Sequence, residues 1–220
     1  MKRFSKLFVF ILCAFSAVTV ASCLSSDDDG GIDPAVYKAW MTYISGSYYG
    51  DPTNYQKANK IYFWNDTITG SNKTDSIEGI EVAFRNDSTL SVYEVPGSLF
   101  KNYIKDNNEL KEALDNAPSQ TLTAKYMFYN ISSPNAWYYV APSKMTFNNL
   151  NYNGGTHSLE ISFYGLGAGV FVNNSALRQL QLSLVVGEIK EDGVTLESPY
   201  GDYFSDEKLG KHTFIVYATR

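Results

Sequence analysis

Cys23 is the residue whose surroundings say most about chemistry, because its thiol follows a predicted cleavage point. Residues 1–6 carry three basic side chains, residues 7–20 are almost wholly apolar, and the small residues Ala21 and Ser22 precede the cysteine. A basic start, a short apolar segment and small residues at a cleavage point are the three parts of a secretory signal peptide. Residues 7–20 are fewer than the roughly 20 apolar residues that cross a bilayer, which argues against a transmembrane anchor. We therefore expect residues 1–22 to be a signal peptide.

The segment Val20-Ala21-Ser22-Cys23 resembles the lipobox of bacterial lipoproteins. The resemblance implies that Cys23 is diacylated on sulfur, becomes the N-terminus after cleavage and is acylated again on its amine. Each buried methylene contributes roughly 0.8 kcal/mol to membrane binding, so two or three acyl chains hold a protein stably. Membrane lipid, reached through Cys23, is thus the first expected partner.

The residues after the cysteine carry three consecutive carboxylates, Asp27, Asp28 and Asp29. Leu24 to Asp29 resembles the acidic export signal that Bacteroidota lipoproteins carry behind the acylated cysteine. The resemblance implies an outer-membrane location facing the cell exterior. The alternative is an ordinary solvated linker, because serine, aspartate and glycine are common in tethers. In either case residues 23–32 are predicted to be a flexible acidic tether.

Charge and cysteine content exclude several function classes. Removing residues 1–22 removes three of the 18 basic residues and none of the 23 acidic ones, which leaves a net charge of −8. Such an acidic chain argues against nucleic acid as a partner. Cys13 leaves with the signal peptide and Cys23 is used for the lipid, so no disulfide, thiol nucleophile or cysteine-based metal site is expected.

The remaining residue types give little support for catalysis. His157 and His212 are both predicted to lie on strands, where a lone histidine is more often a surface or hydrogen-bonded residue than a ligand. Residues 165–169, Gly-Leu-Gly-Ala-Gly, lack the spacing and the following helix of a phosphate-binding loop, and are interpreted as a flexible connection or bulged strand. No metal site, cofactor or catalytic residue is therefore predicted.

One acidic group lies among aromatic residues and consists of Asp202, Asp206 and Glu207. Paired carboxylates are what glycoside hydrolysis requires, and oxygen ligands could also hold calcium. The alternative is a solvated loop, since charge clusters usually serve solubility. We favour the loop.

Aromatic residues are the compositional excess of the chain, with 17 tyrosines among them. Flat apolar rings with a polar group suit sugars as well as a β core. Neighbouring tyrosines on a strand must point to opposite faces, so one of each pair can be exposed. The candidate ligand-binding residues are Trp64, Trp137, Tyr138 and Tyr139.

Three short segments resemble the Asp-Ser/Thr-hydrophobic pattern at which exported Bacteroidota proteins are O-glycosylated. They place candidate hydroxyl groups at Thr67, Ser76 and Ser88, all in predicted turns, where hydroxyls are exposed. The alternative is that Asp-Ser and Asp-Thr are simply common turn pairs.

The elements that must position these side chains are mainly strands. Apolar and polar residues alternate with period two over residues 80–85 and 180–186, which is typical of strands with one buried face. Turn residues that accept a positive φ follow at residues 86–88, 153–155 and 192–193. Further strands are predicted at residues 60–64, 90–95, 121–131, 137–140, 144–150, 158–164, 194–197 and 212–219.

Two stretches are predicted to be helical. Asp33-Pro34 is a cap with a first-turn proline, which begins a helix over residues 35–44, and residues 98–117 have helical composition. The first helix carries one apolar stripe, formed by Val36, Trp40 and Ile44. Regular alternation of β and α is absent. Residues 33–220 are therefore predicted to form a mainly β domain: a single antiparallel β-sandwich or barrel-like domain with a short N-terminal helix and a helical insertion near 98–117.

The lipobox, the acidic tether, residues 46–50 (Gly-Ser-Tyr-Tyr-Gly) and the Tyr- and Asn-rich β sequence together resemble Bacteroidota lipoproteins catalogued as domains of unknown function. We expect a surface-anchored lipoprotein that acts as a non-catalytic binding or accessory module, with a glycan or a surface protein as ligand. Two alternatives stay open. One is a surface glycan hydrolase with paired carboxylates, and the other is a structural or assembly lipoprotein without a small ligand.

Overall fold

The structure is a computed structural model that describes residues 31–51, 53–54, 57–63, 77–174, 177–197 and 213–220. Strands dominate these residues, and the sheet they form is antiparallel, as the sequence predicts. The predicted N-terminal helix and helical insertion are also present. None of the helices among the described residues is both long and apolar enough to cross a bilayer.

The helices are α1 (Pro34–Ile44) and α2 (Asn108–Asp115), with a 3-10 helix at Gly97–Tyr103 before α2. The strands are β1 (Gly46–Tyr48), β2 (Lys60–Phe63), β3 (Ile77–Glu78), β4 (Glu81–Phe84), β5 (Thr89–Val95), β6 (Gln120–Ser132), β7 (Asn135–Pro142), β8 (Met145–Tyr152), β9 (Gly155–Phe163), β10 (Gly167–Asn174), β11 (Leu177–Glu191), β12 (Val194–Glu197) and β13 (Thr213–Thr219).

Ten strands follow one another in the order β1-β4-β5-β6-β7-β10-β11-β13-β2-β3, and this sheet curls into a half-barrel. The 15-residue strand β11 connects the sheet to a smaller extension. Residues 177–185 of β11 pair with β10 and β13, whereas its C-terminal part pairs with β9 and β12, and β8 adds to β9. The register shifts between Val186 and Glu188, where Gly187 lets the backbone of Tyr164 approach closely.

Helix α1 fills the concave side of the curled sheet. Asp33 accepts hydrogen bonds from the backbone N–H groups of residues 35 and 36, which confirms the predicted cap. The ring of Tyr37 meets Phe128 of β6, and Trp40 meets Phe171 of β10, both edge to face. Val36, which the sequence placed on the apolar stripe, is 42% exposed instead. The buried face of α1 is therefore rotated from the predicted stripe toward Tyr37.

The helical insertion covers the extension of the sheet. Leu110 and Leu114 of α2 are buried, and Phe100 of the 3-10 helix packs against Phe147 of β8 with ring centroids 5.9 Å apart. These side chains belong to the same apolar cluster as the interior of the half-barrel. The described residues thus share one core.

Three strands were not predicted from the sequence: β1, β3 and β10. Strand β10 includes part of the glycine-rich segment that was interpreted as a connection or bulge. Its Gly169 lies opposite Tyr138 of β7, and a Cβ at this position would collide with the Tyr138 ring. Glycine weakens a strand by itself, so the pairing depends on a close approach that composition does not reveal.

Candidate functional site

Most residues that the sequence singled out lie outside the described residues. These are Cys23, Asp27, Asp28, Asp29, Trp64, Thr67, Ser76, Asp202, Asp206, Glu207 and His212. The structure does place Ser88, Trp137, Tyr138, Tyr139 and His157.

Four large side chains form an outward-facing group on β6 and β7, which we call the aromatic strip: Met127, Tyr129, Trp137 and Tyr139. Met127, Tyr129 and Tyr139 are 39%, 44% and 38% exposed, and Trp137 is half-buried. Met127 lies directly opposite Tyr139 in the strand register. Because α1 packs against the inner face of these strands, it does not cover the strip.

The rings of Tyr129 and Tyr139 stack on each other, with centroids 4.4 Å apart and planes 27° from parallel. The arrangement depends on a β-bulge, since the register of β6 and β7 shifts between Phe128 and Asn130. A bulge re-aims the side chain of the extra residue. It thereby gives the strip two adjacent rings held in one orientation.

A shallow groove of about 200 Å³ runs beside the strip. It lies between the rings of Tyr129 and Trp137 and the small side chains of β10, with Gln181 and Ser183 of β11 also lining it. Trp137 is opposite Val170, and the next outward position of β10 is Ala168. The groove forms because β7 carries large outward side chains and the neighbouring β10 carries small ones. Its surface combines the ring faces of Tyr129 and Trp137 with the amide group of Gln181 and the hydroxyl group of Ser183.

Tyr138 does not belong to this surface. Its side chain is fully buried and packs edge to face against Phe84 and Phe128 on the inner side of the sheet. Its hydroxyl group donates a 3.3 Å hydrogen bond to the carbonyl oxygen of Gln181, and burial raises its pKa well above the ordinary value. The expected opposite orientation of the Tyr138-Tyr139 pair is confirmed, and only Tyr139 can contact a ligand at the strip.

Ser88 lies in the turn between β4 and β5 with a φ of 62°. The Asp87 carboxylate accepts a hydrogen bond from the backbone N–H of Thr89, and hydrogen bonding to Thr89 lowers the pKa of Asp87. The predicted turn is therefore present. Glycosylation of Ser88 stays a prediction.

A second group of functional side chains lies where β9 and the β11–β12 turn meet, and we call it the His-Glu-Asp cluster: His157, Glu191 and Asp192. One possible ligand atom of each residue lies within 4.8 Å of the other two. The Nδ1 atom of His157 is 2.7 Å from Oδ2 of Asp192 and 3.8 Å from Oε1 of Glu191. Sequence analysis treated His157 as an isolated residue, but the fold gives it two carboxylate neighbours.

Two further residues hold the His-Glu-Asp cluster in place. The ring of Tyr152 stacks on the imidazole of His157 with centroids 4.2 Å apart, and its hydroxyl group donates to Oε1 of Glu191. The other carboxylate oxygen of Asp192 accepts a 2.8 Å hydrogen bond from the backbone N–H of Ser158. Both carboxylates and the imidazole are thus oriented by neighbours that are not part of the cluster.

The two carboxyl groups of the cluster have opposite pKa shifts. Burial raises the pKa of Glu191, and the nearby Asp192 carboxylate adds to this effect. Hydrogen bonds from the Ser158 backbone and from His157 lower the pKa of Asp192. Glu191 is therefore the carboxylate whose negative charge is least well compensated.

A polar groove of about 500 Å³ separates α2 from the β8–β9 turn. Glu109 and Glu112 of α2 line one wall, and Asn149, Asn151 and Tyr152 line the other. Tyr152 therefore borders both this groove and the His-Glu-Asp cluster. Among the described residues, the groove contains two glutamates, Glu109 and Glu112.

One signal in the sequence could have found part of the aromatic strip, but none could have found the His-Glu-Asp cluster. Tyr126 and Phe128 are buried, and period-two alternation along the strand then places Met127 and Tyr129 outward. The Asp192-Gly193 turn was recognised, but nothing local indicates that β9 lies beside β11. His157 meets Asp192 only through that long-range pairing.

The curled antiparallel sheet and its exposed aromatic strip define a β domain with a candidate ligand-binding face. Residues 43–191 match the model of a family described as Domain of unknown function (DUF4840), and the chain belongs to this family. The expected membership of a family of unknown function is thereby confirmed. The matched segment contains the whole aromatic strip together with His157 and Glu191. Neither a curated protein nor a solved structure matches the chain.

Proposed function

We propose that the protein is a lipid-anchored, non-catalytic binding module whose aromatic strip recognises glycans. The observation that carries the proposal is the pair of exposed, stacked rings of Tyr129 and Tyr139 with the half-buried ring of Trp137 beside them on one face of the sheet. The apolar face of a pyranose ring stacks on such rings, and exposed apolar patches with a polar rim mark interaction sites.

The polar residues around the strip complement sugar hydroxyl groups. Gln181 offers an amide that can donate and accept, and Ser183 offers a hydroxyl group. The groove is shallow, so few polar contacts can form at once. Binding in the millimolar to micromolar range is expected, because a small contact recovers little beyond the cost of ordering the ligand.

The anchoring part of the proposal rests on the sequence. Val20 to Cys23 has the pattern of a lipobox, and Asp27 to Asp29 has the pattern of a Bacteroidota surface-export signal. Acyl chains on Cys23 would hold the domain on the outer membrane, with residues 23–32 as the tether. An anchored module meets polymeric ligands repeatedly, which compensates for weak single contacts.

The experiment compares strip variants with a matched control. The full chain is tested on an array of plant, bacterial and mucin-type oligosaccharides, and the same samples are melted by circular dichroism. Tyr129→Ala and Tyr139→Ala should each lose glycan retention while the melting temperature changes little. Trp137→Ala should also lose retention, with a lower melting temperature because its ring is half-buried. Tyr49→Ala removes a tyrosine that is 68% exposed but lies away from the strip, so it should bind like the wild type.

Retention by the wild type that survives all three strip substitutions would refute the strip as the binding site. Absence of any retention by the wild type would favour the structural or assembly role. The hydrolase alternative predicts release of reducing sugar from the same oligosaccharides, and Asp202, Asp206 and Glu207 are the residues to replace in that assay. Trp64→Ala belongs to the same series because the sequence also favours Trp64 as a ligand contact.

A further inference from the structure

We propose that His157, Glu191 and Asp192 bind one zinc ion, which would make the His-Glu-Asp cluster a metal site separate from the aromatic strip. The three residues supply one imidazole nitrogen and two carboxylate oxygens. Zinc binds imidazole nitrogen and carboxylate oxygen atoms, and its open sites have three protein ligands. The proposal concerns the end of the sheet extension and is independent of the proposed glycan binding.

The spacing of the donor atoms suits a small cation. Two tetrahedral ligands that are each about 2.0 Å from zinc lie roughly 3.3 Å apart. The distances from Nδ1 of His157 to the two carboxylates are 2.7 and 3.8 Å, which lie on either side of that value. All three donor atoms lie within 4.8 Å of one another, so the two carboxylate side chains must rotate to bring the three atoms to bonding distance from one ion.

Charge also favours a cation at this position. The cluster brings two carboxylates to one imidazole, at 3.8 and 2.7 Å from its Nδ1 atom. The neighbouring cation Lys190 points elsewhere, because its ammonium group pairs with Glu188 at 2.9 Å. A divalent ion would neutralise both carboxylates, whereas a protonated His157 compensates for only one.

The surroundings of the cluster orient its ligands as an outer shell does in metal sites. Tyr152 donates to Glu191 and stacks on His157, and Ser158 fixes the second oxygen of Asp192. Hydrogen bonds of this kind set the direction of ligand atoms and are worth about 10- to 100-fold in metal affinity. Tyr152 is accordingly a positioning residue.

The donor set distinguishes between cations. Calcium prefers six to eight oxygen ligands, and a three-residue group with one nitrogen cannot provide them. Imidazole nitrogen suits zinc and its neighbours in the transition series. Calcium is therefore expected not to compete with zinc at this site.

The test measures zinc binding to the full chain, purified in detergent with a tag that lacks histidine and cysteine and then stripped with EDTA. Isothermal titration with zinc chloride should show that the wild type binds about one zinc ion per chain. His157→Gln or Glu191→Gln should abolish zinc binding or weaken it by more than about tenfold. Glu188→Gln is the matched control, because it removes a carboxylate of the same strand outside the cluster. Tyr152→Phe, which keeps the ring stack but removes the donor, should weaken zinc binding less than Glu191→Gln.

A second measurement does not depend on variants. The chain has two histidines, so nitrogen NMR of imidazole-labelled protein resolves His157 from His212. Zinc should move the Nδ1 resonance of His157 strongly, and millimolar calcium should not. If zinc leaves that resonance unchanged, or if Glu188→Gln and Glu191→Gln weaken zinc binding equally, the proposal is wrong and the cluster is an ion pair of the turn.

Discussion

The side-chain oxygen of Asn59 accepts a 2.9 Å hydrogen bond from the backbone N–H of Thr219, 160 residues further along the chain. The amide group of Asn59 also donates to the carbonyl oxygens of Tyr48 and Ile80, at 2.6 and 2.9 Å. Asn59 is 2% exposed. One buried side chain therefore joins β13, near one edge of the curled sheet, to β1 and the start of β4 at the other edge.

Replacing Asn59 by leucine should destabilise the domain strongly. The substitution preserves the side-chain size but leaves a buried N–H and two carbonyl oxygens without this partner, at a cost of roughly 1–3 kcal/mol each. We expect the free energy of unfolding to fall by about 3 kcal/mol or more, measured by urea denaturation. Asn148→Leu is the control on the exposed face of β8 and should change stability by less than about 0.5 kcal/mol. Equal effects of the two substitutions would show that Asn59 does not hold the sheet edges together.

Any side chain at residue 169 should destabilise the domain as long as the ring of Tyr138 occupies its present position. A Cβ at residue 169 would collide with the Tyr138 ring, which lies fixed in the core. Gly169→Ala should therefore lower the free energy of unfolding by about 1–3 kcal/mol, the usual cost of overpacking. The same substitution should cost clearly less in a Tyr138→Leu background, because the shorter side chain makes room. An equal cost in both backgrounds would mean that the two residues are not coupled.

Stability should fall at alkaline pH because buried tyrosines resist ionisation. Burial raises the pKa of Tyr48 to about 12, against an opposing effect of Arg220, while an unfolded tyrosine ionises near pH 10. Between these values the unfolded chain has released a proton that the folded chain retains. Each such tyrosine therefore lowers the free energy of unfolding by about 1.4 kcal/mol per pH unit as the pH rises from about 10 to 12.

Urea denaturation at several pH values checks this alkaline slope. Tyr48→Phe should make the slope shallower, although it also lowers stability at every pH through loss of the hydrogen bond from Tyr48 to the carbonyl oxygen of Ile44. Tyr49→Phe removes the hydroxyl group of an exposed tyrosine and is the matched control. An identical slope in wild type and Tyr48→Phe would contradict the assignment.

Local signals in the sequence predicted the local parts of the fold. The Asp33 cap hydrogen-bonds as expected, and the turn residues Ser88, Asn153 and Asp192 all adopt a positive φ. The strand predicted at residues 194–197 has the same bounds in the structure. Caps and turns are determined by residues within a few positions of one another, which a sequence displays directly.

Long-range pairing could not be predicted in the same way. Strand β10 is glycine-rich and was not assigned, because its stability comes from partners on β7 and β11 rather than from its own residues. The His-Glu-Asp cluster depends on the pairing of β9 with β11, about 30 residues apart, and on a turn that places Asp192 beside His157. Two residues of the aromatic strip, Trp137 and Tyr139, were predicted from the sequence, because the alternation of side chains within one strand is a local property.

Substitution of Cys23 should separate anchoring from export. If the thiol carries the acyl chains, Cys23→Ala should yield an unprocessed or soluble product that no longer partitions into the detergent phase with membrane lipoproteins. Replacing Asp27, Asp28 and Asp29 together by alanine should preserve the lipid, because the residues before the cysteine are unchanged. It should, however, abolish exposure at the cell surface.

Digestion of intact cells with an added protease measures that exposure, with the detergent partition of the same triple variant as the control for acylation. Unchanged protease sensitivity in the triple variant would mean that the three carboxylates are an ordinary solvated tether, whereas loss of detergent partitioning would mean that they contribute to processing at Cys23.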